Sequence, residues 1–215
     1  MPENVMATRK LGFVALSVAA IALLPRPAVA APPALFPDDA KAVVARWTFD
    51  KPGENDGKLS HPRHFLSTPG PFGEKSLVAL TPAAEFSGPA TGFPSGKAAC
   101  TISLWFRTVS ADARGVLFCY GSPQQHAARG IWLVDSRHLC FFFWGSPADL
   151  KATLPGDGVV PDRWHHVAAT YDGETARLFF NGEAVDEKPA PQIATGLAAP
   201  YRFAQNLSRS HCAFV

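Results

Sequence analysis

Charge is scarce in this chain. Asp, Glu, Lys and Arg make up only 18% of its 215 residues, and the formal net charge is +2. No segment carries a basic stripe, so nucleic acid is not an expected partner. Cysteine is also sparse, with four residues at positions 100, 119, 140 and 212. None forms C-x-x-C, and no spacing fits a zinc site. Helical periodicity is missing after residue 30, and no later apolar run suits a transmembrane helix. A helical bundle, a zinc module and a nucleic-acid binder are therefore not expected.

Aromatics and turn formers are abundant. Phe occurs 16 times, Pro 20 and Gly 17. Many aromatics among many turn residues favour an all-β chain. With 47% apolar residues, the chain can bury the core of one ordinary domain.

Residues 1–30 are read apart from that domain. Arg9 and Lys10 precede an apolar run over 11–24 that is too short to span a bilayer. Pro25-Arg26-Pro27 and Ala28-Val29-Ala30 follow, the layout of a secretory signal peptide cleaved after Ala30, with a short membrane anchor formed by the same run as the alternative. Its removal leaves equal numbers of basic and acidic groups. The mature chain is expected to be secreted, periplasmic or held at the cell surface. An even cysteine count outside the cytoplasm permits disulfides in three pairings. Cys100, Cys119 and Cys140 lie in apolar strand-like runs, so buried thiols fit equally well.

Residues 31–42 read as a flexible lead-in, and residues 43–49 as a first strand. Residues 50–57 collect Asp, Pro, Gly, Glu and Asn and mark a loop. Short strands are expected at 77–80 and around Phe86. The run CTISLWFRT, 100–108, alternates with period two: Cys100, Ile102, Leu104 and Phe106 face one way, Thr101, Ser103, Trp105 and Arg107 the other. Further strands are expected at 116–120, 131–134 and 139–144, the last covered on both faces. The stretch DRWHHVAATYDGETARLFFNGEAV, 162–185, reads as strand, turn, strand, Asn-Gly turn, strand. The whole implies a two-sheet antiparallel β-sandwich.

ACTISLWFRT with the later WHHVAATYDG and FNG resembles the laminin G-like, concanavalin A-like lectin/glucanase jelly-roll domain of secreted bacterial proteins. ARWTFDKPGENDGKLS resembles its opening strand and acidic loop, and EFSG the segment before the T-I-S-L-W strand. The resemblance covers residues 43–190. Such domains close with a strand of the type F-x-G-x-I-D-E-V-R-I-Y. Here only residues 201–204 suit a strand after Pro189, so 191–215 is expected as an atypical, poorly ordered tail.

The resemblance implies a sandwich, which hosts enzymes and passive modules alike. Glucanases of this fold carry E-x-D-x-x-E on one strand, and the chain has no such string. Asp186 and Glu187 are adjacent and point to opposite faces, so they do not make the carboxylate pair of a glycoside hydrolase. His165 and His166 also point apart and read as scaffold, one beside Trp164 and one hydrogen-bonding across the sheet. A non-catalytic module is therefore expected. Its ligand would be a glycan or a surface protein, held by aromatic faces and a few polar groups. The candidates are Trp105, Trp132, Trp144 and Tyr171, with Arg107 and Asn181. Asp50, Glu54, Asn55 and Asp56 offer oxygen ligands on one loop that suit calcium, and some members of the wider family bind calcium at the sandwich rim. The alternative is a structural domain, or a fragment of a larger surface protein, with no ligand of its own; a glycoside hydrolase is a minor alternative.

Overall fold

Two strands with unbroken alternation set the architecture of this chain, described here from a computed structural model. The structure describes residues 14–17, 43–47, 49, 57–59, 65–71, 75–79 and 86–203. The first sheet holds β1 (Val14–Ser17), β3 (Phe65–Pro69), β4 (Lys75–Ala79), β6 (Cys100–Thr108), β11 (Trp164–Tyr171), β12 (Thr175–Phe180) and β13 (Glu183–Pro189). Its order is β13-β12-β11-β6-β1-β4-β3. The second holds β2 (Lys58–Leu59), β5 (Phe86–Gly88), β7 (Gly115–Gly121), β8 (Ala128–Asp135), β9 (His138–Phe142), β10 (Leu150–Thr153) and β14 (Ala199–Phe203). Its order is β10-β9-β8-β7-β14-β5-β2. Every pairing is antiparallel. The all-β sandwich expected from the sequence is the fold observed. Among the described residues no helix is long and apolar enough to cross a membrane.

The core lies between the two sheets. Ile102, Leu104 and Phe106 of β6, Val167 and Ala169 of β11, and Leu178 and Phe180 of β12 point inward from one side. Ile131 and Leu133 of β8, Leu139 and Phe141 of β9, and Leu150 and Ala152 of β10 meet them from the other. A register shift between Val116 and Phe118 turns both Leu117 and Phe118 of β7 into this core. Period two also carries Arg129 inward, because it precedes Ile131 by two residues on β8. Its side chain is fully buried.

The outer face of the second sheet carries a smaller cluster: Val116, Cys119, Ala128, Cys140 and Phe142, with Trp132 and Trp144 against it. β9 is therefore covered on both faces, as its unbroken apolar run implies. Cys100, Cys119 and Cys140 are free thiols. Cys119 and Cys140 stand on β7 and β9 with β8 between them, and two strand spacings of about 4.8 Å exceed disulfide reach. Burial pushes the Cys140 thiol up to about 12. Cys212 lies outside the described residues.

Three expectations are revised. Residues 43–47, read as a first strand, have no regular structure. Val43 and Val44 are exposed, while Trp47 is buried against Phe93, Phe118, Tyr201 and Phe203. Burying one large ring needs no ladder, so apolar content there did not mean a strand. Residues 139–144 do not run as one strand: β9 stops at Phe142, and Trp144 takes a positive φ of 64°. The segment expected as a disordered tail is part of the sandwich as far as Phe203. There β14 sits between β7 and β5 with Tyr201, Arg202 and Phe203 buried. Residues 204–215 lie outside the described residues.

Residues 14–17 fall within the expected signal segment, and here they form β1, bonded to β6 on one side and β4 on the other. A chain beginning at residue 31 lacks this strand. Its amides at 105–108 are expected to exchange faster with solvent than those of the full chain. Equal protection in the two chains would show that β1 contributes nothing to β6.

Candidate functional site

The register of β6 and β11 assembles the site on the outer face of the first sheet. Trp105 lies directly opposite His166, and Arg107 opposite Trp164. Period two sends all four side chains away from the core. The Asn181-Gly182 turn after β12 completes a row running Trp105, His166, Asn181. Asn181 and Gly182 have φ values of 50° and 88°, the positive values that an Asn-Gly hairpin turn requires. The Asn181 amide donates to His166 O at 2.8 Å, and its side-chain Oδ1 accepts from His166 N at 3.0 Å. The turn thus fixes Asn181 beside His166.

These residues enclose a groove of about 610 Å³, lined by Trp105, Arg163, Trp164, His165, His166, Asn181 and Gly182. The Trp105 and His166 rings lie 5.1 Å apart at 46°. The Arg107 guanidinium sits over the Trp164 ring at 5.5 Å. His166 Nε2 is 2.8 Å from Ser103 Oγ on the neighbouring strand. His165 points the other way, buried and stacked on Phe180 at 5.2 Å, and its Nε2 accepts from Val160 N–H at 3.0 Å. His166 bonds across the sheet to Ser103, whereas His165 is buried against Phe180 rather than half-buried beside Trp164.

Burial lowers the pKa of both histidines, and the nearby Arg163 charge adds to the effect at His165. Both rings are therefore neutral at pH 7, and the positive charge at the groove belongs to the arginines. The folded state binds fewer protons than the unfolded one as pH falls through the ordinary histidine range near 6.5. Stability is full above that range and declines below it. The urea midpoint is expected to fall between pH 7.5 and pH 5, and to fall less in His165→Gln. An identical pH dependence in that variant would remove His165 as the cause.

Of the six residues singled out for ligand contact, Trp105 and Asn181 line the groove, and Arg107 stands beside it over the Trp164 ring. Trp132 and Trp144 stand on the outer face of the opposite sheet, packed against its smaller cluster. Tyr171 is 1% exposed. Its hydroxyl lies 2.8 Å from Gly173 O and 3.0 Å from Ala190 O, and the Arg129 guanidinium covers its ring at 4.8 Å. Tyr171 is thus a core residue, because its odd-numbered position on β11 faces inward with Val167 and Ala169. Trp164, His166 and Arg163 join the groove without having been named as ligand residues. Only the pairing register with β6 could have signalled them. Asp50, Glu54, Asn55 and Asp56 lie outside the described residues. Among the described residues no group of three or more His, Cys, Asp or Glu side chains is placed to hold a metal ion.

Among the described residues no carboxylate lines the groove. Glu187, on β13, pairs with Arg177 at 2.5 Å, and Asp172 pairs with the same arginine at 2.7 Å. Asp172 also caps the turn amides of Glu174 and Thr175. The Arg177 guanidinium and these amides hold its carboxyl well below the usual range. What the surface offers is ring faces, neutral hydrogen-bonding groups and guanidinium charge.

The family model of the concanavalin A-like lectin/glucanases superfamily matches residues 81–210. Among curated proteins, none matches the chain. Solved structures similar to it include domains LG4-5 of the mouse laminin α1 chain, at 21% identity and a TM-score of 0.41, covering 50% of this chain and 28% of that one. Domain 4 of AbnA, a GH43 extracellular arabinanase from Geobacillus stearothermophilus in complex with arabinotriose, is 19% identical with a TM-score of 0.48, covering 65% of each chain. The CBM40 of the Ruminococcus gnavus IT-sialidase, bound to α2,3 sialyllactose, is 16% identical with a TM-score of 0.43, covering 53% of this chain and 68% of that one. The chain thus spans less than two thirds of the first two.

Proposed function

The chain belongs to the concanavalin A-like lectin/glucanase superfamily, and on that premise we propose that it is a secreted, non-catalytic module that binds carbohydrate at the cell surface through the groove around Trp105. The observation that carries this reading is the row Trp105, His166, Asn181, flanked by Trp164. Sugars present apolar C–H faces and equatorial hydroxyls, and they are held by aromatic rings beside a few fixed polar groups. Trp105 supplies the ring. Asn181 and Ser103 supply donors and acceptors whose positions are set by hydrogen bonds to His166. The groove is shallow and open, which suits part of a longer chain better than a small enclosed metabolite.

The test is a glycan array on the full chain, run with and without calcium, followed by calorimetry on the best binder. Trp105→Ala is expected to weaken binding by about 1–3 kcal/mol, the contribution of one well-placed ring. Binding unaffected by Trp105→Ala would move the ligand elsewhere. No binding to any glycan, by protein shown folded by circular dichroism, would favour a structural domain. The hydrogen bonds that tie His165, His166 and Asn181 together already serve that second reading.

A further inference from the structure

Three arginines with side chains on the outer face of the first sheet or at its rim differ in one respect. Arg177 is held between Asp172 and Glu187, with contacts of 2.7 and 2.5 Å. Arg107 and Arg163 have no ion-pair partner among the described residues. The Nε of Arg107 is buried and makes no hydrogen bond among them. Its guanidinium instead rests on the Trp164 ring, and Arg163 lines the groove and is exposed. Asp162 and Glu183 adjoin the groove in sequence, yet neither lines it. One guanidinium, that of Arg163, therefore lines the groove, and a second, that of Arg107, adjoins it across the Trp164 ring; neither is neutralised by a carboxylate among the described residues.

We propose that the ligand of this groove is an acidic sugar, whose anionic group pairs with Arg163 and Arg107 while its ring lies on Trp105. The proposal rests on the carbohydrate reading above and narrows it to one chemical class. A guanidinium presents two parallel N–H groups that match a carboxylate or a sulfate in fork geometry. The low dielectric of the Trp105 and Trp164 rings strengthens such a pair relative to open water. A neutral sugar would leave both charges at the groove unanswered.

The experiment measures binding of the full chain to three probes: an oligogalacturonate, the same oligosaccharide with its carboxyls methyl-esterified, and a sulfated galactan oligosaccharide. The acid is expected to bind at least about tenfold more tightly than its ester, with affinity falling as salt rises. Arg163→Gln, at an exposed position, is expected to remove about tenfold from the acid and nothing from the ester. Arg107→Lys keeps the charge, loses the fork, and is expected to weaken the acid in the same direction. Tight binding of the sulfated probe alone, sensitive to Arg163→Gln, would support the anionic class with sulfate as its source. Equal affinity for acid and ester, both lost in Trp105→Ala, would overturn the acidic assignment and leave the carbohydrate reading standing. An acid preference unchanged in both arginine variants would also overturn it. Failure of all three probes to bind folded protein would count against the carbohydrate reading itself.

Discussion

Arg129→Met is expected to cost about 3–5 kcal/mol of folding stability, the largest effect of any single polar change in the described core. The side chain is fully buried between the sheets. Its Nε donates to Thr195 Oγ1 at 2.7 Å, its Nη1 to Ala98 O at 2.8 Å, and its Nη2 to Gly96 O at 2.9 Å. Nη1 also lies 2.9 Å from Cys100 Sγ, and the guanidinium covers the Tyr171 ring. Methionine fills much of the volume but leaves Thr195 Oγ1 and Ala98 O without their donor, while Gly96 O keeps the Thr195 N–H at 3.1 Å. The loss comes from those orphaned groups rather than from a void. Arg129→Lys keeps the charge yet offers one compact donor where a planar fork is required, so it is expected to lose about half as much. Urea unfolding of the two variants separates the cases. If the lysine variant matches wild type within about 0.5 kcal/mol, the fork geometry is irrelevant and the argument fails.

Trp47→Ala is expected to cost a further about 3–5 kcal/mol, as large-to-small changes at buried aromatics do. Trp47 belongs to no strand, yet its ring meets Tyr201 at 4.9 Å, Phe203 at 5.1 Å and Phe118 at 5.6 Å. Its indole N–H donates to the Tyr201 hydroxyl at 3.2 Å. The residue ties an irregular early segment to β14, more than 150 positions later. Trp47→Phe retains most of the packing and drops the hydrogen bond, so about 1 kcal/mol is expected from the lost bond, with a smaller packing loss beside it. Should Trp47→Ala unfold at the same urea concentration as wild type, residues 43–47 would be an appendage rather than part of the core.

Asn181→Ala offers a local check on the site. It removes the acceptor for His166 N–H and places a Cβ-bearing residue without a side-chain acceptor at positive φ. About 1–2 kcal/mol of stability is expected to go, together with the fixed position of His166. The same substitution is expected to weaken glycan binding, and unchanged binding would remove the turn from the site.

Alternation alone determined which way β6 and β11 face. Ile102, Leu104 and Phe106 had to lie together, and so did Trp105 and Arg107, because a strand repeats every two residues. The Asn181-Gly182 turn was likewise legible, since it rests on the local chemistry of two to four residues. Strand existence followed wherever the signal was this local. Register between distant strands was not legible. That Trp164 meets Arg107 and His166 meets Trp105 depends on how β6 and β11, about sixty positions apart, slide past each other. The groove therefore could not be assembled from the sequence, although two of its lining residues, Trp105 and Asn181, could be named.

The tertiary structure also decided the fate of residues that resemble each other locally. Tyr171 and Trp105 are both strand aromatics, yet one is sealed beneath Arg129 and the other lines an open face. Trp47 and Trp132 both sit in apolar runs, yet one plugs the main core and the other packs outside the second sheet. Arg129 reads in sequence as an ordinary charged residue near a strand end. Only the sandwich, by turning it inward between two sheets, makes it the polar centre of the fold. Sequence periodicity fixes the direction of a side chain, whereas burial depends on what the rest of the chain lays over it.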